Sequence, residues 1–383
     1  MSKIGIMGGT FNPVHKGHIE MAKHAAQQFN LDKVVFITGG NPPHKRGNRI
    51  LPGIIRHKMV QLAIKDYPMF FASDYEINKN TYSYTYETLE YMKRTHKEDS
   101  LYFIIGADSL HDLPTWKKPR LIMELCTFLV YSRKGYSQKE DLKNLKKEYY
   151  CKALFIDAKN VDVSSTRVRK KLEENQDVSA YLDKEVYDYI KRNNLYKKEE
   201  GSIKKRLKNR LSYDRFIHSC GVANTSIEMA KIFGADENKA YLAGMLHDCA
   251  KCIQKDKALR MCEDFGVLLD EFELKNPALV HAKLGEMVAM IDFGVDDKEV
   301  LEAIKYHTIG DTTMGDLAKI VYVADMIEPN RSFEGVEKLR EIAKKDLDRA
   351  VAECTKMTVE FNEQKGKKVH PKAYEIIKYY DDK

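Results

Sequence analysis

Gly8-Gly9-Thr10-Phe11-Asn12-Pro13-Val14-His15-Lys16-Gly17-His18 decides the fold of the first half of this chain. A short apolar run, Ile4 to Met7, precedes it, and an amphipathic segment, Ile19 to Phe29, follows it. The stretch therefore reads as the turn between a first β-strand and a first α-helix. Such a turn offers backbone N–H groups and the positive end of a helix dipole to an anion. Gly8 and Gly9 let a ligand approach backbone that a Cβ would shield. His15 and His18, three residues apart at a helix start, can face one point. This chemistry suits the handling of phosphate.

Working outward, strand-like and helical runs alternate. Val34 to Thr38 is apolar and β-rich, and the loop Gly39-Gly40-Asn41-Pro42-Pro43-His44-Lys45 follows it. Phe70 to Ser73, Leu101 to Ile105, Thr127 to Tyr131 and Ala153 to Ile156 read as further strands. Arg56 to Ile64 and Thr85 to Lys93 read as helices between them. This alternation predicts an α/β fold with a doubly wound parallel sheet, which binds ligands at the carboxyl ends of its strands. The informative loops, Gly8 to His18, Gly39 to Lys45 and Gly106-Ala107-Asp108-Ser109, all fall there. A second phosphate signal is Val163-Ser164-Ser165-Thr166-Arg167-Val168-Arg169. Ser164 or Ser165 suits an N-cap, and Arg167 or Arg169 adds charge-assisted hydrogen bonds.

The chain has 383 residues, long enough for two or more domains. Its 64 Lys and Arg against 57 Asp and Glu give a net charge of +7, which suits an anionic small ligand and is too mild to argue for a nucleic-acid protein. No basic segment precedes the first strand, so no secretory signal is expected, and no apolar run reaches the ~18 residues needed to span a bilayer. Seven scattered cysteines fit reduced thiols in a cytoplasm. Cys249-x-x-Cys252 is a lone pair, short of the four ligands that structural zinc takes.

Composition places a boundary near the middle. Lys191 to Ser202 is polar and ends in Gly-Ser, so we expect one domain over 1–197, a linker at 198–202 and a second domain over 203–383. The second half turns helical: Arg215 to Phe233, Glu237 to His247, Leu279 to Met290, Asp297 to His307, Asp316 to Met326 and Val336 to Phe361 carry apolar residues at helical spacing. His218, then His247-Asp248, then His281, His307 and Asp325 fall on these helices. Imidazole and carboxylate without a required thiolate suit iron, manganese or a similar divalent metal. Two such ions roughly 3.5–4 Å apart would activate a bridging hydroxide for attack on phosphorus.

The opening stretch is similar to the HxGH nucleotidyltransferase signature. Together with Pro42-Pro43-His44-Lys45, Gly106-Ala107-Asp108, Leu113-Pro114-Thr115-Trp116 and the Ser164–Arg169 motif, it resembles the bacterial nicotinate-mononucleotide adenylyltransferases over roughly residues 1 to 197. The resemblance implies that ATP, with Mg²⁺, and nicotinate mononucleotide give deamido-NAD and pyrophosphate. On it, His15, His18 and Lys45 hold the triphosphate, while Gly8, Gly9, Thr10, Phe11, His44 and Gly106 contribute to nucleotide binding. Ser164, Ser165, Thr166 and Arg169 close around phosphates and adenosine, and Asp108 accepts from ribose hydroxyls. Trp116 stacks on the nicotinate ring, with Thr85 and Tyr86 near its carboxylate.

Residues 203–383 resemble the HD-domain phosphohydrolases. Arg215-x-x-His218-Ser219, Ala243 to Lys251 and Ala324 to Arg331 are similar to the YqeK-type HD proteins in particular. That resemblance implies an all-α helical bundle holding one or two divalent metals, iron favoured, through His218, His247, Asp248, His281, His307 and Asp325. It implies symmetrical hydrolysis of a dinucleoside polyphosphate, diadenosine tetraphosphate, to two ADP, with Asp248 catalytic and Lys251 and Arg331 on phosphate. The expectation is a bifunctional cytoplasmic enzyme without nucleic-acid or membrane partners, and an oligomer is compatible with it. Two alternatives stay open: a nucleotide-binding regulator in the second half, or a different HxGH transferase in the first.

Overall fold

The computed structural model describes residues 1–40, 50–79, 83–131, 151–157, 163–197 and 201–381. His44 and Lys45 lie outside the described residues, as does the side chain of Asp108. The chain divides into two compact units, Met1–Lys198 and Glu199–Lys383.

In the first unit, β1 (Lys3–Gly9), β2 (Lys33–Thr38), β3 (Phe70–Ser73), β4 (Ser100–Gly106), β5 (Thr127–Tyr131) and β6 (Ala153–Ile156) form a six-stranded sheet in the order β3-β2-β1-β4-β5-β6. All five pairings are parallel. The strands read as unbroken apolar runs because both faces are covered, and Ile4, Ile6, Val34, Phe36, Phe128 and Leu129 are fully buried. The chain first winds from β1 toward β3, then returns to lay β4 against the other side of β1. The switch point therefore lies between β1 and β4, where the carboxyl ends of the strands open a crevice. The loop after β1 and the turn after β4 both empty into it.

Helix α1 (Lys16–Phe29) follows β1, α2 (Gly53–Ile64) precedes β3, and α3 (Thr85–Thr95) precedes β4. After β4 come α4 (Ala107–Asp112), a single 3₁₀ turn at Leu113–Thr115 and α5 (Pro119–Leu125). Helices α6 (Ser165–Glu173) and α7 (Lys184–Arg192) end the unit. Ser164 is the cap of α6: its hydroxyl accepts the Arg167 N–H at 3.2 Å.

The second unit is helical: α8 (Ile203–Arg210), α9 (Tyr213–Phe233), α10 (Glu237–Leu246), α11 (Lys255–Phe265), α12 (Glu271–Lys275), α13 (His281–Val288), α14 (Lys298–Tyr306), α15 (Asp316–Ile327), α16 (Val336–Ala343), α17 (Leu347–Gln364) and α18 (Lys372–Asp381). Helix α15 is buried on all sides from Leu317 to Ala324, which marks it as the central helix of the bundle. No helix among the described residues is long and apolar enough to cross a membrane.

Two helical expectations need correction. Leu279 and Val280 precede α13, which starts at His281 and ends in a π turn over Ala289–Phe293. The run from Val336 to Phe361 is two helices, interrupted at residues 344–346. Apolar spacing carries straight across the break, through Leu339, Ala343, Leu347 and Ala350, so periodicity conceals it. What starts the second helix is a cap: the Asp346 carboxylate accepts the Arg349 N–H at 2.9 Å. Asp346→Ala should therefore destabilise the helical unit by about 1 kcal/mol, read as a lowered melting temperature for its thermal transition.

Candidate functional sites

The loop after β1 is shaped by Asn12 and Arg56. Asn12 is 4% exposed, and its side-chain oxygen accepts the Leu51 N–H at 3.3 Å and the Tyr196 hydroxyl at 2.9 Å. Its carbonyl accepts Arg169 Nη1 at 2.9 Å. Arg56, 1% exposed, donates to three carbonyls: Leu51 at 2.7 Å, Thr10 at 2.6 Å and Gly40 at 3.0 Å. Burial pushes its guanidinium down to about 10, still charged at neutral pH. Arg56 thus ties the β1 loop to the start of the β2 loop. Ser165 donates to Pro13 O at 2.9 Å, and Lys16 Nζ reaches Ala180 O at 3.1 Å.

His15 and His18 stack, with ring centroids 3.7 Å apart and planes inclined by 22°. His18 Nδ1 accepts the His15 N–H at 3.2 Å, which fixes its ring at the helix start. Gly17 makes the stacking feasible, because a Cβ there would lie 2.8 Å from Val163 and 3.1 Å from the His15 ring. Of the two imidazoles, only His18 lines open space. It borders a cleft of about 480 Å³ with Gly8, Gly9, Thr10, Thr85, Gly106 and Trp116, and a second of about 210 Å³ with Thr10, Phe11, Ser165, Thr166 and Arg169. Thr10 and His18 are common to both, so the two clefts meet at them. His15 is buried behind.

Trp116 meets Phe103 edge-on, with centroids 6.4 Å apart, and lines the larger cleft. Tyr86 does not line it: its ring lies in the core and its hydroxyl donates to Glu87 at 2.9 Å. Tyr84 takes the place at the wall, with Lys117 Nζ 3.9 Å from its ring centroid. Glu76 is a wall residue that the sequence reading missed. It accepts the Thr88 hydroxyl at 2.6 Å, and burial raises its carboxyl above the usual range despite that bond. Ser164 caps α6 outside both linings.

In the second unit, His218, His247, Asp248, His281, His307 and Asp325 converge from five helices. Asp248 Oδ1 lies 3.2 Å from His281 Nε2 and 3.6 Å from His307 Nε2, while Asp248 Oδ2 lies 3.5 Å from His247 Nε2. Asp325 Oδ1 lies 2.9 Å from His218 Nε2 and 4.0 Å from His247 Nε2. Three overlapping groups could each hold an ion: His218 with His247 and Asp248; His247 with His307 and Asp325; and Asp248 with His281 and His307. The outer nitrogens are anchored. The Nδ1 atoms of His247, His281 and His307 meet the carbonyls of Gly244, Ala278 and Ile304 at 2.6, 2.6 and 2.7 Å. That arrangement turns each Nε2 inward, as in metal-ligating histidines.

The donor chemistry fits a divalent metal. His218 Nε2 and His247 Nε2 are buried without a hydrogen-bond partner, and both face a carboxylate oxygen, so a positive charge belongs between them. Burial would raise the Asp248 carboxyl, but His247 first, with His281 and His307 beside it, holds it far below the usual range. Asp325 is held low against its burial by His218, His247, His307 and Arg331. Burial pushes His281 down to about 4, so its imidazole is neutral at neutral pH. Cys249 turns away and donates to Gly285 O at 3.5 Å, and no candidate metal group among the described residues includes it or Cys252.

Three cations rim the cluster. Arg331 Nη2 lies 2.6 Å from Asp325 Oδ1, and Lys251 Nζ lies 3.2 Å from the His281 ring nitrogens. Arg215, quoted in the sequence motif without a role, lies 2.8 Å from Asp248 Oδ2.

The Asn12 arrangement makes a prediction for the first unit. Tyr196→Phe removes one buried hydroxyl from a shared acceptor and should cost about 1 kcal/mol, measured as a fall in the melting temperature of that unit.

Comparison with known proteins agrees with this division. Residues 6–171 match the cytidylyltransferase-like family model, and residues 215–330 match the HD domain model. The chain is 43% identical over 199 residues to a "probable nicotinate-nucleotide adenylyltransferase" of Clostridium acetobutylicum, a match covering 51% of this chain and 100% of the relative. A protein of the same description from Clostridium botulinum (strain Eklund 17B / Type B) is 42% identical over 202 residues, covering 52% and 100%. Among solved structures, a "predicted HD superfamily hydrolase involved in NAD metabolism" from Clostridium acetobutylicum is 38% identical, covers 47% of this chain and 95% of that one, and has a TM-score of 0.46. The first half of the chain belongs to the nicotinate-nucleotide adenylyltransferase family, and an HD domain follows it in the same polypeptide.

Proposed function

We propose that the first unit transfers AMP from ATP to nicotinate mononucleotide, giving deamido-NAD and pyrophosphate, and that the second hydrolyses dinucleoside polyphosphates. The observation that carries the first reading is the meeting of two clefts at Thr10 and His18. The larger, walled by Thr85 and Trp116, takes the nicotinate nucleotide. The smaller, walled by Ser165, Thr166 and Arg169, takes the ATP side. The substrate phosphate then meets the α-phosphorus at the junction, and its oxygen displaces pyrophosphate without a protein nucleophile. Catalysis is positioning plus stabilisation of charge on the phosphoryl oxygens. His18 donates to those oxygens at the junction. His15 works from behind, by holding the His18 ring. Bound Mg²⁺ supplies further charge neutralisation on the triphosphate.

For the second unit, the carrying observation is the six-residue His and Asp cluster rimmed by Arg215, Lys251 and Arg331. A divalent metal held by these ligands supplies a water of lowered pKa. The side chains do the remainder: Asp248 belongs to two of the three candidate metal groups, and Lys251 and Arg331 hold phosphate oxygens. With diadenosine tetraphosphate, addition of one water across the central anhydride gives two ADP. The fusion has a chemical rationale, because an adenylyltransferase can form dinucleoside polyphosphates as side products and the second unit would remove them.

Pyrophosphate release from ATP should be fast with nicotinate mononucleotide and slow with nicotinamide mononucleotide or phosphopantetheine. A preference for phosphopantetheine would instead assign a different transferase. His18→Ala should lower kcat for adenylyl transfer by about 10²–10³-fold. In the same purified protein, ADP formation from diadenosine tetraphosphate should vanish on chelation and return with Mn²⁺ or Fe²⁺. Asp248→Asn should abolish ADP formation and spare adenylyl transfer. Metal binding without turnover of any nucleotide would favour a regulatory domain.

A further inference from the structure

Each of the four imidazoles in the metal cluster needs an acceptor for its outer nitrogen. His247, His281 and His307 lie at helix ends and use the carbonyl three residues back. His218 cannot, because it sits inside α9, a helix of 21 residues whose carbonyls accept from N–H groups one turn on. Its Nδ1 instead meets Glu328 Oε1 at 3.2 Å. Glu328 is 1% exposed, and its other oxygen accepts the Asn330 N–H at 2.8 Å and Asn330 Nδ2 at 3.0 Å. Both carboxylate oxygens are therefore committed.

Gly221 lies three residues past His218 on the same helix. A Cβ at Gly221 would press on Glu328 Oε2 well inside van der Waals contact. Glycine inside a helix is unfavourable relative to alanine, so its presence there has a reason: it leaves room for this carboxylate.

We propose that Glu328 is a positioning residue of the metal centre, and that Gly221 keeps the space it occupies. Glu328 holds the Nδ1–H tautomer of His218, so that Nε2 faces Asp325 and the ion. It also makes this imidazole a stronger donor than the three backed by neutral carbonyls. The inference rests on the reading that the second unit binds a divalent metal.

The test compares full-length wild type with Glu328→Gln, Glu328→Ala and Gly221→Ala. Each is stripped of metal and titrated with Mn²⁺ or Co²⁺ against a competing chelator. Circular dichroism checks the fold, and the visible spectrum of bound Co²⁺ reports on the ligands. Glu328→Ala should weaken metal binding by about 10–100-fold and alter the cobalt spectrum. Glu328→Gln, which keeps an acceptor but loses the charge, should weaken it less. Gly221→Ala should weaken it too, although no metal ligand is touched and alanine is the better helix former. If Glu328→Ala fails to fold, Gly221→Ala and Glu328→Gln still decide. Wild-type affinity and an unchanged cobalt spectrum in these two would overturn the inference while leaving the metal site standing. A wild type that takes no metal would overturn the metal reading, and this inference with it.

Discussion

The buried amide of Asn12 is where the first unit is tied together. Its side-chain oxygen is shared by the Leu51 N–H and the Tyr196 hydroxyl, and its carbonyl takes Arg169. Those partners come from the start of α2, the end of the unit and α6. A buried acceptor left without donors costs about 1–3 kcal/mol, so the loop after β1 has a strong reason to keep this one shape. Arg56 adds a second constraint, through Thr10 and Gly40. The loop after β1 thus owes its shape to distant segments that hold it, and local propensity has little part. A rigid array of N–H groups stabilises developing charge without reorganising during the reaction.

That dependence also marks what could be read in advance. Strands β3, β5 and β6 were legible to the residue, because each is a short apolar, β-prone run, although only β5 is covered and the edge strands β3 and β6 expose Phe71 and Leu154. The closeness of His15 to His18, and a serine cap at Ser164 or Ser165, were legible because their geometry is local. Arg56 was not, since it acts on three backbone carbonyls that carry no side-chain signature. Tyr86 shows a related dependence on packing. It stands at the start of α3 with its ring in the core, while Tyr84 stands at the cleft wall. In the helical unit the clustered residues stood out as a His and Asp series, whereas Glu328 carries no such signal because its partner is 110 residues away.

On the proposed reading, the two units would meet anionic ligands by opposite means. The first would use backbone dipoles, one imidazole at the junction of two clefts and a few cations at the walls. The second buries acids. Two carboxylates close together would repel and resist ionisation. Four imidazoles and the Arg331 guanidinium reverse that, and Asp248 and Asp325 are instead held well below the usual range.

This balance links metal to substrate on the proposed reading. Arg215 and Arg331 each contact a carboxylate oxygen that a metal ion would use, at 2.8 and 2.6 Å. A bound divalent ion therefore competes with both guanidiniums for Asp248 and Asp325. Guanidiniums so displaced would stand beside the ion with unused donors, and the favoured partner for such a planar fork is a phosphate group. The net positive charge that an ion brings to the cluster is then balanced by the substrate itself. A polyphosphate, with charge on several adjacent groups, satisfies that arrangement better than a monophosphate does.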